Sequence, residues 1–128
     1  MKYLLDTCTF LWICEGSQRL SERAVSSFQN PDNDVYLSCV SGWEIAVKFK
    51  RGKLPLPQTP ALFVPSMREQ HHIAKLQLEE AAVLRLDTLP DNHRDPFDRM
   101  LICQALLGGL TLLTPDPDIR SYPVNVEW

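Results

Sequence analysis

Short apolar runs separated by helix-length stretches restrict this chain more than any other feature. Tyr3-Leu4-Leu5, Val35-Tyr36-Leu37-Ser38 and Leu110-Thr111-Leu112-Leu113 read as strands without an apolar/polar alternation. A strand that is apolar on both sides has to be covered on both sides. That requirement, with helices between the strands, predicts a mainly parallel sheet in an α/β fold. Ile73–Leu76 is a weaker strand candidate, and Tyr122–Val126 reads as a last edge strand. A length of 128 residues suits one domain, 1–128, with a substantial core.

The intervening stretches carry helix signals. Phe10-Leu11-Trp12-Ile13 reads as a short helix ending near Gly16, and Ser21 caps a second that runs to Phe28. Ser41-Gly42-Trp43-Glu44 has the spacing of a capping box and is expected to open a helix that runs to Gly52. Pro60–Gln70 is expected to be kinked or split at Pro65. Glu79–Leu86 is expected to be helical, with Leu78 and Ala82 facing inward. The clearest start signal is His93-Arg94-Asp95-Pro96-Phe97-Asp98-Arg99-Met100-Leu101-Ile102. Asp95 suits the cap, Pro96 the first helical position, and Gly108-Gly109 ends the apolar run that follows.

Four acids fall at equivalent places in this pattern. Asp6 follows the first strand, and Asp116 follows Leu110–Leu113. Glu44 and Asp98 are assigned to the first turns of their helices. In a parallel sheet, strand carboxyl ends and helix amino ends meet at one edge, where such folds build sites. Asp98 joins the others only if its helix begins at that edge, which a right-handed crossover provides. Each acid taken alone suits a helix cap or a turn. Together they would repel, by about 4 kcal/mol for a pair about 4 Å apart at an effective dielectric of about 20. A divalent cation relieves that cost. Carboxylates with few His or Cys neighbours favour Mg²⁺ or Mn²⁺, one or two ions, over zinc. Thr7 and Thr114 stand beside two of the acids and could orient ligands or water. The fitting chemistry is phosphodiester hydrolysis, and there is no G-x-x-x-x-G-K-[ST] loop for nucleotide hydrolysis.

A net charge of −3 argues against coating nucleic acid through bulk positive charge. It leaves room for local basic patches, and Lys48, Lys50, Arg51 and Arg99 are the candidates for phosphate contacts. The four cysteines lie far apart, without a C-x-x-C pair, and no export signal precedes them. A reduced, cytoplasmic setting is therefore expected. No apolar run is long enough to span a membrane.

Taken in order, Leu4-Leu5-Asp6-Thr7, Ser41-x-x-Glu44, Asp95-Pro96-Phe97-Asp98-Arg99-Met100-Leu101-Ile102-x-Gln104-Ala105 and Leu112-Leu113-Thr114-x-Asp116 resemble the PIN-domain ribonucleases. Within that family the chain is most similar to the VapC toxins of bacterial toxin–antitoxin pairs. The likeness spans nearly the whole chain, and the D-P-F-D-R block is its most specific part. It implies a three-layer α/β/α sandwich and Mg²⁺- or Mn²⁺-dependent endoribonuclease activity with Asp6, Glu44, Asp98 and Asp116 as the acidic quartet. It also implies a homodimer, and an antitoxin whose C-terminal segment covers the site. Asp95 is then a cap with a supporting role. Pro115 and Pro117 depart from the simplest pattern and put the position of Asp116 in question.

Other readings are weaker. A haloacid-dehalogenase-type phosphatase wants a second Asp two residues after the first, where this chain has Cys8. A receiver domain wants a Lys after a late strand, which Thr114-Pro115-Asp116-Pro117 lacks. A PIN fold kept as a binding or assembly module without catalysis remains as the alternative. Phe10-Leu11-Trp12-Ile13 places four large apolar residues in succession, more than one buried stripe needs. Either a partner covers part of that run or the helix is wedged in the core.

Overall fold

A computed structural model describes residues 1–128. The apolar runs form the middle of a five-stranded sheet: β1 (Lys2–Leu5), β2 (Asp34–Ser38), β3 (Ala74–Leu76), β4 (Thr111–Leu113) and β5 (Val126–Glu127). The order is β3-β2-β1-β4-β5, and every neighbouring pair is parallel. β1, at the centre, is buried on both faces, which is why Tyr3, Leu4 and Leu5 are apolar without a break. The order reverses between β1 and β4, so a crevice opens beyond their carboxyl ends.

Helices cover both faces. They are α1 (Thr7–Glu15), α2 (Glu22–Gln29), α3 (Cys39–Lys50), α4 (Pro60–Gln70), α5 (Glu80–Leu84), α6 (Pro96–Gly108) and α7 (Pro117–Arg120). Tyr3, Leu5, Val35, Leu37 and Leu113 pack against Phe10 and Ile13 of α1, Ala24 of α2, Ile45 of α3 and Phe63 of α4. Leu4 and Leu112 point the other way, toward Val40 of α3, Leu101, Ile102 and Ala105 of α6, and Ile119 of α7. Adjacent strand residues thus feed separate cores, giving the expected three layers.

Local details depart from expectation in four places. First, the capping box at Ser41 does not form. Ser38, still extended at the end of β2, caps α3 by accepting from the Val40 amide at 3.0 Å. The strand therefore runs directly into the helix, Ser41 lies inside its first turn, and Glu44 lies one turn further on. Second, α4 is not split. Pro65 sits inside it, and Phe63, Val64 and Met67 pack on the core, offsetting the missing amide bond. Third, the Glu79–Leu86 stretch divides into α5 and a 3₁₀ turn, Arg85–Thr88, and Leu78 is exposed although Ala82 is buried. Fourth, the last strand is only Val126–Glu127. Pro123, in the stretch that precedes it, cannot supply a ladder donor.

Phe10 and Ile13 are buried in the core. Trp12 is half-buried, edge-on to Trp128 at 5.9 Å and under the Arg19 guanidinium. Much of the cover for the apolar run therefore comes from the chain itself.

Candidate active site

Strand register brings the first acid to its partner. Leu5 pairs with Leu113, so the next residues, Asp6 and Thr114, emerge side by side at the crevice. The Thr114 hydroxyl donates to Asp6 Oδ2, and Asp6 Oδ1 accepts from the Thr9 amide at 2.7 Å, which caps α1. Both residues are buried. Burial holds the Asp6 carboxyl above its ordinary pKa, and the hydrogen bonds from Thr114 and Thr9 oppose that shift.

Glu44 reaches the same edge from α3. The Thr7 hydroxyl donates to Glu44 Oε1 at 2.7 Å and lies 3.0 Å from the Ser41 hydroxyl. Glu44 Oε2 accepts from Lys48, one turn along the helix. That bond raises the Lys48 pKa. Thr7 thus supports Glu44, and Thr114 supports Asp6. Ser41 is a third buried hydroxyl of this group, which sequence reading placed at a helix cap instead.

Asp98 comes from the first turn of α6, whose amino end does lie at the crevice. Asp95 Oδ1 accepts from the amides of Phe97 at 2.9 Å and Asp98 at 3.0 Å, and Pro96 takes the first helical position. The cap fixes the turn from which Asp98 projects. Burial, reinforced by the charges of Asp95, Asp6, Glu44 and Asp116, pushes the Asp98 carboxyl up to about 8. The shift reports that the four sequence-predicted acids share one electrostatic neighbourhood.

Asp116 is the loosest member. It caps α7 by accepting from the Asp118 amide at 2.9 Å, while its own amide donates to Thr114 at 3.1 Å. Pro117 at the first position of α7 makes that cap local. No three His, Cys, Asp or Glu side chains come together as a ready-made coordination set. Asp6 and Glu44 are instead held by protein donors.

The basic candidates separate. Lys50 and Arg51 are exposed at the end of α3. Lys48 is engaged by Glu44. Arg99 is withdrawn from the phosphate-contact set because its guanidinium serves the fold. It donates to Pro90 O at 2.8 Å and Tyr122 Oη at 2.9 Å and pairs with Asp91 at 3.0 Å. His93 and Tyr122 carry no local sequence signal; His93 Nε2 lies 3.5 Å from Asp98 Oδ2, and Tyr122 Oη joins His93 to Arg99. Trp43, exposed beside Glu44, stacks edge-on against Phe97, beside Asp98, at 4.9 Å.

A family profile described as PIN domain matches residues 3–125. The chain belongs to the PIN-domain family. This PIN domain is 36% identical over 99 residues to Ribonuclease VapC16 of Mycobacterium tuberculosis, covering 76% of this chain and 64% of that protein. It therefore spans slightly less than two thirds of that relative. It is 25% identical over 128 residues to Ribonuclease VapC22 of the same organism, covering 96% of each. Among solved structures it is similar to VapBC2 from Rickettsia felis bound to a promoter DNA fragment. That match has a TM-score of 0.75 and 12% identity, and covers 99% of this chain and 98% of the other. A DNA-bound VapBC from Salmonella typhimurium matches with a TM-score of 0.69 and 16% identity, over 99% and 97% of the two chains. At these identities the structural matches speak for the fold, an α/β/α sandwich around a parallel sheet.

Proposed function

We propose that this PIN domain is a Mg²⁺- or Mn²⁺-dependent endoribonuclease and the toxin of a toxin–antitoxin pair. The observation that carries the reading is geometric: Asp6 leaves β1 beside Thr114 of the neighbouring strand, Glu44 of α3 bonds to Thr7 next to it, and Asp98 stands in the first turn of α6, where burial and then the charges of Asp95, Asp6, Glu44 and Asp116 raise its carboxyl. Acids so placed disfavour their own ionisation and so favour a bound cation. The donors are all hard carboxylate oxygens, which suits Mg²⁺ or Mn²⁺. Mg²⁺ commonly takes one or two carboxylates and keeps several waters, so a closed protein cage is not required. When bound, the ion would activate water and neutralise charge on the phosphodiester.

The chain's own residues prepare that step. Asp6 and Asp98 would hold the ion, with Glu44 and Asp116 completing the acidic wall. Thr114 and Thr7 keep the Asp6 and Glu44 carboxylates oriented through their hydroxyls. Lys50 and Arg51, exposed at the end of α3, would meet the RNA backbone. Lys48 neutralises Glu44 and becomes available to a phosphate only if Glu44 turns to a cation.

The ribonuclease names of the two M. tuberculosis relatives support RNA as the substrate. The VapBC assemblies that share this fold support a cognate antitoxin as partner, with action in the cytoplasm and a second copy of the toxin as further expectations. No helix is long and apolar enough to cross a membrane.

The test is cleavage of total RNA by purified, antitoxin-free protein with Mg²⁺, with Mn²⁺ and with EDTA, beside the Asp6→Asn variant. Metal-dependent new 5′ ends that disappear in the variant are expected. No cleavage with either metal would leave a non-catalytic binding module as the better reading.

A further inference from the structure

The Tyr122 hydroxyl is a three-way junction behind the acidic site. It accepts from the His93 backbone amide at 3.1 Å and from Arg99 Nη1 at 2.9 Å. An amide N–H and a guanidinium N–H can only donate, so they occupy both acceptor positions of the phenol oxygen. The hydroxyl proton is then left for the remaining neighbour, His93 Nδ1, at 2.9 Å. A ring nitrogen that accepts cannot carry a proton, so in the neutral imidazole the proton resides on Nε2. His93 Nε2 is buried, lacks a hydrogen-bond partner, and lies 3.5 Å from Asp98 Oδ2. Arg99 itself is anchored by Pro90 O and Asp91, which fixes the junction to the loop before α6.

We infer that His93 is a positioning residue whose Nε2–H, set by Tyr122 and Arg99, is presented to the outer oxygen of Asp98 and orients that carboxylate toward a divalent cation. The inference rests on the reading of Asp98 as a cation ligand. A separation of 3.5 Å is long for a hydrogen bond, so the donor stands ready rather than fully engaged. Partners behind a metal ligand commonly change metal affinity by about 10–100-fold when removed. The same network explains why Arg99 directly follows Asp98. One residue faces the site, and the next braces the loop that supplies the donor.

Two measurements test this on the whole chain. Long-range ¹H–¹⁵N spectra of the metal-free wild type, under mildly alkaline conditions, should give His93 protonated at Nε2 and bare at Nδ1, with His93→Gln assigning the signal. Calorimetric titration with Mn²⁺ should give affinity about tenfold or more weaker in His93→Ala. His93→Gln, which places an amide N–H within reach of Asp98, should restore near wild-type affinity. A proton on Nδ1 would overturn the inference, as would unchanged Mn²⁺ affinity in His93→Ala or no rescue by Gln. Should His93→Ala fail to fold, the wild-type tautomer and the Gln variant still decide. If the wild type itself does not bind Mn²⁺, the cation reading of Asp98 fails and the orienting role falls with it, while the tautomer independently tests the junction.

Discussion

At Asp98 the fold opposes ionisation, and pH exposes this directly. Its carboxyl is raised to about 8, against about 4 in an unfolded chain. The folded chain therefore holds a proton that the unfolded chain releases across that interval. Metal-free stability should fall as pH rises from about 4 to about 8, and Asp6, raised by burial, contributes with the same sign. Urea melts in EDTA across that range will measure the slope, and Asp98→Asn should flatten it. The same variant should lose metal-dependent RNA cleavage yet be more stable than wild type at pH 8, by roughly 1–3 kcal/mol. Asp95→Asn should behave differently. Asn caps about as well as Asp, so α6 starts in the same place and cleavage stays close to wild type. A loss as deep as that of Asp98→Asn would assign Asp95 a direct role. That Asp95 caps α6 and Asp98 stands in its first turn was legible from the cap signature alone. The network of His93, Tyr122 and Arg99 was not, because Tyr122 comes 23 residues after Arg99 and no periodicity links them.

Helix starts decide where the acids point. For α6 the sequence signal and the structure agree, because Asp95-Pro96 places a cap and a fixed φ side by side. For α3 they disagree. Ser41 and Glu44 have capping-box spacing, but the hydroxyl that caps the helix belongs to Ser38, three residues earlier. Ser38 also donates to Gln104 of α6, tying the two helices together behind the site. Ser38→Ala should therefore cost about 1–2 kcal/mol in denaturant melts, combining a lost cap with an unpaired buried amide oxygen. A larger cost at Ser41 as a cap is not expected. Ser41 matters through Thr7, whose hydroxyl joins it to Glu44. Local spacing could not separate these cases, since Ser38 and Ser41 are both plausible caps until the end of β2 is fixed by pairing with β1 and β3.

For the whole molecule, the strand order converts separate sequence signals into one site. A cation bound to the folded chain but not to the unfolded one should stabilise it by about 4 kcal/mol at a thousandfold excess over its dissociation constant. Melts with Mn²⁺ should register this in the wild type, and Asp98→Asn should lose most of it. What the sequence determined by itself was local. Two-sided apolar runs require a covered parallel sheet, Asp95-Pro96 starts a helix, and three acids, Asp6, Asp98 and Asp116, follow strands or stand in a helix's first turn. Those features depend on neighbours within a few residues, and short-range sterics and hydrogen bonding suffice to read them. Tertiary structure alone decided the rest. The reversal between β1 and β4 places Thr114 against Asp6, the run of β2 straight into α3 gives the cap to Ser38, and packing turns Arg99 away from solvent onto Tyr122. Each of these is a contact between distant segments, fixed by which strands pair and which faces are buried. The helix that begins at Asp95 therefore carries its own start signal, but only the sheet order gives Asp98 something to face.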